Sequence, residues 1–340
     1  MRMRLTFSHD PADLAGLANE WNALLARSAT QVPFLRHEAA SVWWSTLGGG
    51  EWPAGRLWLG TGRDAEGALL AIWPLFLPEG PSSDGRLHLI GSFEISDYLD
   101  VIAPAERSAE TCAALLEALE PSAEVRGIEL YNLPEASPTL TSMQALGPSH
   151  GWSVVRERLS PCPVVSLEGG WEGYLARLDK KQRHELRRKL RRAEESPDGV
   201  RLRIVAPSDD VEAQMESFFS LMAYGAGKAR FLQPAMRRQF TALTREAFRC
   251  GCLHLAFLDV GGAPAAAYWS FDYGNRLWVY NSGMDPAYAA LSPGWVLVGR
   301  LIQWAIDAGR AEVDFLRGDE DYKFRLGGVE RSIFRLTLTR

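Results

Sequence analysis

The stretch Ser292-Pro293-Gly294 stands directly before a run of apolar residues at helical spacing and could bind an anion. Serine is a favoured N-cap, and proline suits the first helical position. Because a helix start without acidic residues offers free N–H groups and a favourable dipole, it attracts groups such as phosphate. The alternative interpretation is an ordinary, well-capped helix start that holds no ligand.

A charged segment further along carries five more candidates: Asp314, Arg317, Glu320, Tyr322 and Lys323. Asp314 alternates with apolar neighbours, so it faces away from them on a predicted strand and could act as a base. Glu320 is a second candidate base, and Arg317 and Lys323 could bind an anionic part of a substrate. The alternatives are an ion-paired strand carboxylate for Asp314 and surface packing for Tyr322 and Lys323.

A helix and a strand must position these residues. Apolar residues recur at helical spacing from Trp295 to Ala305, which predicts a helix with one buried face that ends near Gly309. The alternation around Asp314 predicts the strand that follows. A strand, this helix and a second strand would form a βαβ crossover onto an otherwise antiparallel sheet.

The same order of elements occurs twice in the chain. Residues 1–160 and 161–340 each predict two helices, antiparallel strands, a helix and a strand, and prolines mark the join near residue 161. In the first half we expect one helix over 11–26, another over 108–119, a strand interrupted at Pro74, and a strand within 97–102. The fold class is therefore mixed α/β, with either a structural duplication or two unrelated domains.

Residues 171–196 form the only strongly basic segment of a chain whose net charge is −5. Leucines at helical spacing predict one helix with a buried face, and eight of the segment's lysines and arginines, from Lys180 to Arg192, cover the rest. Four of them could bind phosphates or a polyanion: Arg187, Arg188, Arg191 and Arg192. The alternative is a solvated face that nearby glutamates balance.

Aromatic residues crowd two predicted strands: Tyr268, Trp269, Phe271, Trp278 and Tyr280. Most such residues belong to a core. Strand alternation nevertheless sends some of them to each face, and Trp269 could line a groove for a sugar acceptor.

The composition argues against several classes of protein. A content of 46% hydrophobic and 23% charged residues is typical of a globular chain, and the negative charge predicts no bulk attraction to nucleic acid. The four cysteines and six histidines lack zinc-site spacing, so we expect no metal. No signal-peptide or membrane-spanning pattern occurs, which predicts a cytoplasmic protein without membrane insertion.

Several motifs resemble the GNAT-type acyltransferases of the CelD-like group, which is associated with cellulose biosynthesis. In chain order they are K-x-R-x-x-L-R-R, GAPAAAYWSF, NRLWVYNSGMDP, LSPG and DFLRG-x-x-x-YK. These proteins are similar in turn to the Fem-type peptidoglycan transferases, which have two GNAT folds in tandem. The resemblance is best over Trp171–Gly327 and vaguer over Met1–Ser160.

The resemblance implies two tandem GNAT-like domains, of which the second binds acetyl-CoA or another acyl-CoA and the first holds no cofactor. The donor would lie between strands over 275–283 and 311–316, with its pyrophosphate at Ser292, Pro293 and Gly294. Four strand residues would complete the donor site: Tyr280, Asn281, Ser282 and Gly283. Their backbone N–H groups would polarise the carbonyl, Tyr322 would act as the acid, and Lys323 would serve the reacting centre. The helix entry departs from the family's Q/R-x-x-G-x-G/A loop, because it has one glycine.

We therefore expect an acyl-CoA-dependent N-acyltransferase that acts on an amine of a sugar, a sugar nucleotide or a peptide. One alternative is a Fem-type transferase that uses aminoacyl-tRNA, in which the basic helix contacts the RNA. The other is a catalytically silent GNAT-like binding protein of polysaccharide biosynthesis.

Overall fold

The structure is a computed structural model that describes residues 3–80, 83–91 and 94–340. The chain forms two compact units, one comprising the chain up to Ser160 together with Ser332–Arg340, and the other Pro161–Arg331. Each unit contains a mixed, mostly antiparallel sheet flanked by helices, so the predicted fold class is confirmed. Among the described residues, no helix is both long and apolar enough to cross a membrane.

Among its described residues, the first unit contains five helices, and most of its strands come from the first half of the chain. Its strands are β1 (Arg4–Ser8), β2 (Gly55–Arg63), β3 (Leu69–Pro78), β4 (Arg86–Leu89), β5 (Gly127–Pro134) and the first part of β6 (Ser153–Ser166). Its helices are α1 (Pro11–Gly16), α2 (Ala18–Leu25), α3 (His37–Gly50), α4 (Ser108–Leu119) and α5 (Pro138–Leu146).

The second unit contains the remaining helices and strands. Its strands are the end of β6, β7 (Val200–Ile204), β8 (Leu253–Val260), β9 (Ala263–Tyr273), β10 (Arg276–Met284), β11 (Glu312–Asp314) and the start of β12 (Val329–Thr339). Its helices are α6 (Gly170–Arg177), α7 (Lys180–Glu194), α8 (Val211–Ala223), α9 (Ala226–Phe231), α10 (Pro234–Arg249), α11 (Pro293–Asp307) and α12 (Asp321–Arg325).

In the described part of each unit, a crossover helix joins two parallel strands. In the first unit β4 and β5 are parallel and α4 connects them, whereas in the second unit β10 and β11 are parallel and α11 connects them. The other strand pairs with a defined register are antiparallel. The repeated order supports the interpretation of a structural duplication.

The last strand does not belong to the unit that the expected division of the chain, between residues 160 and 161, would give it. Residues Ile333–Thr339 of β12 pair antiparallel with β5, which places the C-terminal segment in the first unit. Leu336 and Leu338 are fully buried there. The expected second domain, 161–340, therefore ends at Arg331 in the structure, because the edge of β5 supplies backbone partners for the strand that follows.

Several predicted elements have different bounds. The helix expected over 11–26 is divided at Leu17, and the basic segment is divided at Leu178, whose extended backbone separates α6 from α7. β3 continues through Pro74, and residues 97–102 form a loop with one isolated bridge between Ile102 and Ile72. The helix predicted over 108–119 is confirmed.

We expect Leu336→Ala to destabilise the first unit by about 2–5 kcal/mol, since it removes a fully buried side chain from the β5–β12 pair. Thr337→Ala, at the half-buried next position, is the control and should cost less than about 1 kcal/mol. Denaturant unfolding measures the cost, and hydrogen exchange of Gly127–Pro134 locates it. Equal losses in the two variants would contradict the placement of this strand.

Candidate functional site

Strands β10 and β11 separate after a short parallel pairing. Arg276–Trp278 pairs with Glu312–Asp314, and the register ends there. Beyond that point β10 remains paired with β9 as far as Met284, with a bulge between Val279 and Asn281. The N–H of Phe315 instead donates to the Pro163 carbonyl of β6 at 2.9 Å. The edge of β10 that would face β11 therefore opens into a cleft after Trp278.

The first turn of α11 borders this cleft. Ser292 has a left-handed backbone (φ 53°), and its side chain does not cap the helix, which corrects the predicted N-cap role. Its carbonyl accepts the N–H of Val296 at 3.2 Å. The first turn contains no acidic residue, and the N–H groups of Gly294 and Trp295 lie ahead of the first intrahelical bond. This helix start has the electrostatic character that an anion requires.

A cavity of about 530 Å³ lies between the start of α11, the end of β10 and α12. Its lining is mostly apolar. The residues that line it are Tyr224, Gly225, Tyr268, Ser282, Met284, Asp285, Pro286, Ala289, Ser292, Pro293, Gly294, Trp295, Tyr322 and Leu326. The structure thus brings together five of the predicted site residues: Ser282, Ser292, Pro293, Gly294 and Tyr322.

Three hydroxyl groups form a connected chain on the cavity wall. The Tyr268 hydroxyl lies within hydrogen-bond reach of the Ser282 hydroxyl and of the Tyr322 hydroxyl. Burial raises the pKa of Tyr322 to about 12, and the nearby charge of Glu320 acts in the same direction. Burial also raises the pKa of Tyr268 well above its usual range. Both phenols therefore stay protonated at neutral pH and can donate hydrogen bonds.

The predicted residues Glu320 and Lys323 form an ion pair of 2.9 Å beside the cavity. Lys323 is buried and also donates to the carbonyls of Arg317, at 2.8 Å, and Leu316, at 3.4 Å. Burial acts to raise the pKa of Glu320, but the hydrogen bond and charge of Lys323 outweigh it and lower the pKa. Lys323 thus holds the turn after β11 together, and Glu320 is a weak base.

Asp314 occupies a structural position, contrary to its predicted access to the cleft. Its side chain is 1% exposed and is not among the cavity-lining residues. Its carboxylate accepts the N–H of Leu316 at 2.8 Å, and Leu316 has a positive φ of 56°. The carboxylate therefore stabilises the turn by which the chain leaves β11. Strand alternation predicted its face but not this local bond.

Trp269 is fully buried and does not line a groove. Its indole N–H donates to Thr244 at 2.9 Å, and its ring packs against Phe240 and Tyr280. Tyr280 stacks on Phe240 at 5.5 Å. These rings pack β9 and β10 against α10. Of the aromatic residues predicted on these two strands, Tyr268 is the one that lines the cavity.

The other two predicted donor residues of β10 have local roles. The Asn281 side chain accepts the N–H of Ser282 at 2.8 Å. A Cβ on Gly283 would collide with the backbone of Leu221 and Met222 in α8. Gly283 therefore permits the close approach of α8 to β10. Neither residue lines the cavity.

The basic helix α7 lies beside the start of α11. Arg187 pairs with Glu172 at 3.0 Å and Arg188 with Glu185 at 2.7 Å, so part of its charge is balanced. Arg191 is exposed, and Arg192 donates to the Ala290 carbonyl. Lys189, which was not a predicted site residue, lies 4.7 Å above the ring of Trp295. The last turns of α7 therefore reach the α11 side of the cavity.

Sequence reasoning missed Lys228 in α9. Its ammonium donates to the carbonyl and, at 3.0 Å, to the hydroxyl of Ser282. Burial lowers the pKa of Lys228 to about 8; the charge of Glu320 opposes this effect, and that of Lys323 adds to it. The only signal in the sequence was the rarity of lysine outside the basic segment.

A cluster in the first unit has the chemistry of metal ligands. Asp84, His88 and Glu129 each offer a ligand atom, and these atoms lie within 4.8 Å of one another. Arg86 and Arg335, however, lie 3.5 Å and 3.4 Å from the Glu129 carboxylate. Because two guanidinium groups already neutralise this carboxylate, we assign no metal to the cluster.

Comparisons with known proteins agree with this geometry. Residues 180–324 match the family model described as an acetyltransferase (GNAT) domain. This part of the second unit is therefore similar to GNAT acetyltransferase domains. No curated protein matches the sequence significantly.

Solved structures share the fold over nearly the whole chain. FemX is similar with a TM-score of 0.69 and 10% identity, over 94% of this chain and 95% of that one. L-PGS from Bacillus licheniformis has a TM-score of 0.59 and 13% identity, over 96% and 91%. A tandem GNAT protein from the clavulanic acid biosynthesis pathway has a TM-score of 0.51 and 15% identity, over 98% of each chain. At these identities the likeness shows a common fold; membership of the CelD-like group stays a prediction.

We expect Asp314→Ala to destabilise the second unit by about 1–3 kcal/mol, because the buried N–H of Leu316 loses its acceptor. Asp314→Asn keeps an acceptor oxygen at the same place and should cost less. Urea unfolding of the two variants and the wild type measures the ranking. If Asp314→Ala were as stable as the wild type, the carboxylate would not hold this turn.

Proposed function

We propose that the second unit is an acyl-CoA-dependent N-acyltransferase, with the donor bound in the cavity between β10 and α11. One observation carries the proposal: the free N–H groups of the α11 start and the open edge of β10 border the same cavity. A helix start suits a pyrophosphate, and a strand edge without a neighbouring strand suits an extended amide-bearing chain. A single ligand with both features fits this arrangement.

The residues at the helix start are suited to a pyrophosphate. Gly294 and Trp295 offer N–H groups, and Pro293 has none to offer. A Cβ on Gly294 would collide with the side chain of Met284, so a larger residue would disturb the cavity wall. The close approach that glycine allows is what a phosphate oxygen needs to reach the backbone.

Apolar and hydroxyl-bearing residues occupy different parts of the wall. Met284, Pro286 and Leu326 offer apolar contacts to an aliphatic chain. Ser282, Tyr268 and Tyr322 form the polar side. When bound, acyl-CoA supplies a thioester whose carbonyl carbon the acceptor amine attacks. Tyr322 keeps a proton at neutral pH and can give it to the departing sulfur.

Neither predicted carboxylate is suited to act as the base. Asp314 is buried in its turn, and Lys323 holds the Glu320 carboxylate. Removal of the amine proton by solvent water agrees with both observations. Of the predicted acceptors, an amine of a sugar, a sugar nucleotide or a peptide remains our proposal, with acetyl as the simplest acyl group.

A donor with more phosphate groups is the second candidate. Arg192 and Lys189 reach the α11 side of the cavity, and Arg191 is exposed on the same helix. Such a basic surface favours a polyanion, and an aminoacyl-tRNA would supply one together with an activated ester. The silent binding-protein alternative has no observation in its favour, since an open cavity with proton-donating groups is present.

We expect Gly294→Glu to weaken CoA binding by about tenfold or more while the protein stays folded, because its side chain displaces Met284 from the cavity wall and its negative charge repels the pyrophosphate. Isothermal titration with CoA measures the affinity. Gly16→Glu makes the same charge change at an uncrowded helix end in the first unit and should leave CoA binding unchanged.

Two results of that experiment would count against the proposal. Unchanged CoA affinity in folded Gly294→Glu would exclude this helix start as the pyrophosphate site. If the wild type bound tRNA with an affinity that falls steeply as salt rises, and did not bind CoA, the aminoacyl-tRNA donor would be favoured.

We expect Tyr322→Phe to lower kcat by about 10²-fold with little change in the KM for acetyl-CoA, because it removes the acid and keeps the ring. Release of the CoA thiol measures the rate. Thermal unfolding is the control, since the lost hydrogen bond to Tyr268 should cost only about 0.5–1.5 kcal/mol. Full activity in the variant would mean that the thiolate leaves without this donor.

A further inference from the structure

Lysine is rare in this chain, and its distribution points to a function. Only five of the 37 basic residues are lysines, and three of them lie in α7. The other two, Lys228 and Lys323, come from segments about a hundred residues apart and meet beside the same cavity. A buried ammonium is costly, so a lysine in such a place calls for a physical reason.

Lys323 has an evident structural reason, but Lys228 does not. Lys323 pairs with Glu320 at 2.9 Å and holds two carbonyls of its turn. In the part of the chain that the structure describes, the Lys228 ammonium donates hydrogen bonds to Ser282 alone, to its carbonyl and its hydroxyl. Among the described residues, no carboxylate lies within ion-pair distance of the Lys228 ammonium. Its environment therefore leaves it readily deprotonated.

The polar groups that begin at Lys228 lie in one row. Lys228 donates to the Ser282 hydroxyl. Ser282 and Tyr268 face each other on β10 and β9, and the Tyr268 hydroxyl lies within hydrogen-bond reach of those of Ser282 and Tyr322. Ser282, Tyr268 and Tyr322 all line the cavity. A proton that leaves Tyr322 can thus be replaced, step by step, from Lys228.

We propose that the Lys228 ammonium is the proton source for the leaving group of acyl transfer, delivered through Ser282, Tyr268 and Tyr322. This inference rests on the proposed N-acyltransferase function. Lys228 acts through other groups and is therefore a positioning residue, whereas Tyr322 makes the final transfer. The sequence had predicted Tyr322 as the acid but nothing that resupplies it.

The atoms and charges of the step balance. The amine nitrogen bonds to the acyl carbon, the carbon–sulfur bond breaks, and the sulfur takes the proton of Tyr322. Tyr268 gives its proton to Tyr322, Ser282 gives its own to Tyr268, and Lys228 gives one to Ser282 and becomes neutral. The proton that the amine loses goes to solvent, and Lys228 regains one from solvent.

The surroundings of Lys228 set the direction of the pH dependence. Burial has the largest effect and lowers the pKa of Lys228 to about 8. Two charged groups face the ammonium: Glu320 raises its pKa, and Lys323 lowers it. The phenols of Tyr268 and Tyr322 stay protonated in this range. Since the ammonium is the active form, the rate should be full below about pH 8 and fall as pH rises through it.

The test measures kcat against pH with acetyl-CoA and hydroxylamine, an acceptor that stays uncharged through the neutral and alkaline range. The wild type should lose activity with a midpoint near pH 8. Lys228→Met removes the ammonium, so kcat should fall by about 10²-fold and the alkaline limb should disappear. The KM for acetyl-CoA should change little. Lys181→Met, at an exposed site on α7, should behave as the wild type.

The Lys228→Arg variant distinguishes a residue that releases a proton from one that only holds Ser282 in place. Arginine can still donate to the Ser282 carbonyl, but it does not release its proton near neutral pH. Arginine should therefore restore kcat if Lys228 only holds Ser282 in place, but not if Lys228 is the proton source. Restored kcat in Lys228→Arg, or a wild-type alkaline limb in either variant, would overturn the proposal.

A second measurement does not depend on turnover. Labelling with an amine-reactive reagent at several pH values should show a midpoint near 8 for Lys228, below the value of about 10.4 for a free lysine side chain. Glu320→Gln should shift the Lys228 midpoint, and the alkaline limb with it, to lower pH, because a stabilising negative charge is lost. A Lys228 midpoint as high as that of a free lysine side chain would overturn the proposal.

The proposed acyltransferase function and the proposed role of Lys228 can be refuted separately. A wild type that neither binds CoA nor releases thiol from acetyl-CoA refutes the proposed function and the proton route with it. A wild type that transfers the acyl group, with an unchanged profile in Lys228→Met, refutes the role of Lys228 alone.

Discussion

The cleft depends on the fact that β11 leaves β10 after three paired residues. The chain after Asp314 follows β6, where Pro163 and Pro161 accept the N–H groups of Phe315 and Gly318. These prolines offer carbonyls but no N–H groups, so β6 accepts bonds there without donating in return. β10, meanwhile, stays bound to β9. Two neighbouring strands with different partners must separate, and the open edge of β10 follows from this.

Buried polar groups then keep the separated strands in place. Asp314 fixes the N–H of Leu316, and Lys323 holds the carbonyls of the same turn together with Glu320. On the other side Lys228 binds Ser282 near the bulge of β10. Since an unpaired buried polar group costs free energy, each of these contacts stabilises one geometry of the cleft. The residues that looked most catalytic in the sequence are largely the ones that maintain its shape.

The two units use the same crossover with different chemistry at the helix start. In the second unit the first turn of α11 has no acidic residue and borders the cavity. In the first unit the first turn of α4 carries Glu110, which accepts the N–H of Met3 and pairs with Arg107. A negative, already occupied helix start is unsuited to a phosphate. These contacts agree with our expectation, still a prediction, that the first unit holds no cofactor.

The sequence by itself determined the elements and the helix start of the site. Apolar spacing predicted α11 and its buried face, strand alternation predicted β11, and the order of elements predicted a βαβ crossover in each half. These features are local, so the chain carries them within a few residues. The motifs LSPG and DFLRG pointed to the same region, and Ser282, Ser292, Pro293, Gly294 and Tyr322 do line one cavity.

Only the tertiary structure decided which side chains share that cavity and which are buried behind it. Trp269 and Asp314 lie on strands whose two faces are both covered, so alternation could not tell a cleft from a core. Lys228 meets Ser282 across 54 residues, and no spacing in the sequence encodes that contact. The C-terminal strand joins the first unit because β5 offers it an edge. Contacts between distant segments depend on packing and backbone pairing, and these exist only once the chain has folded.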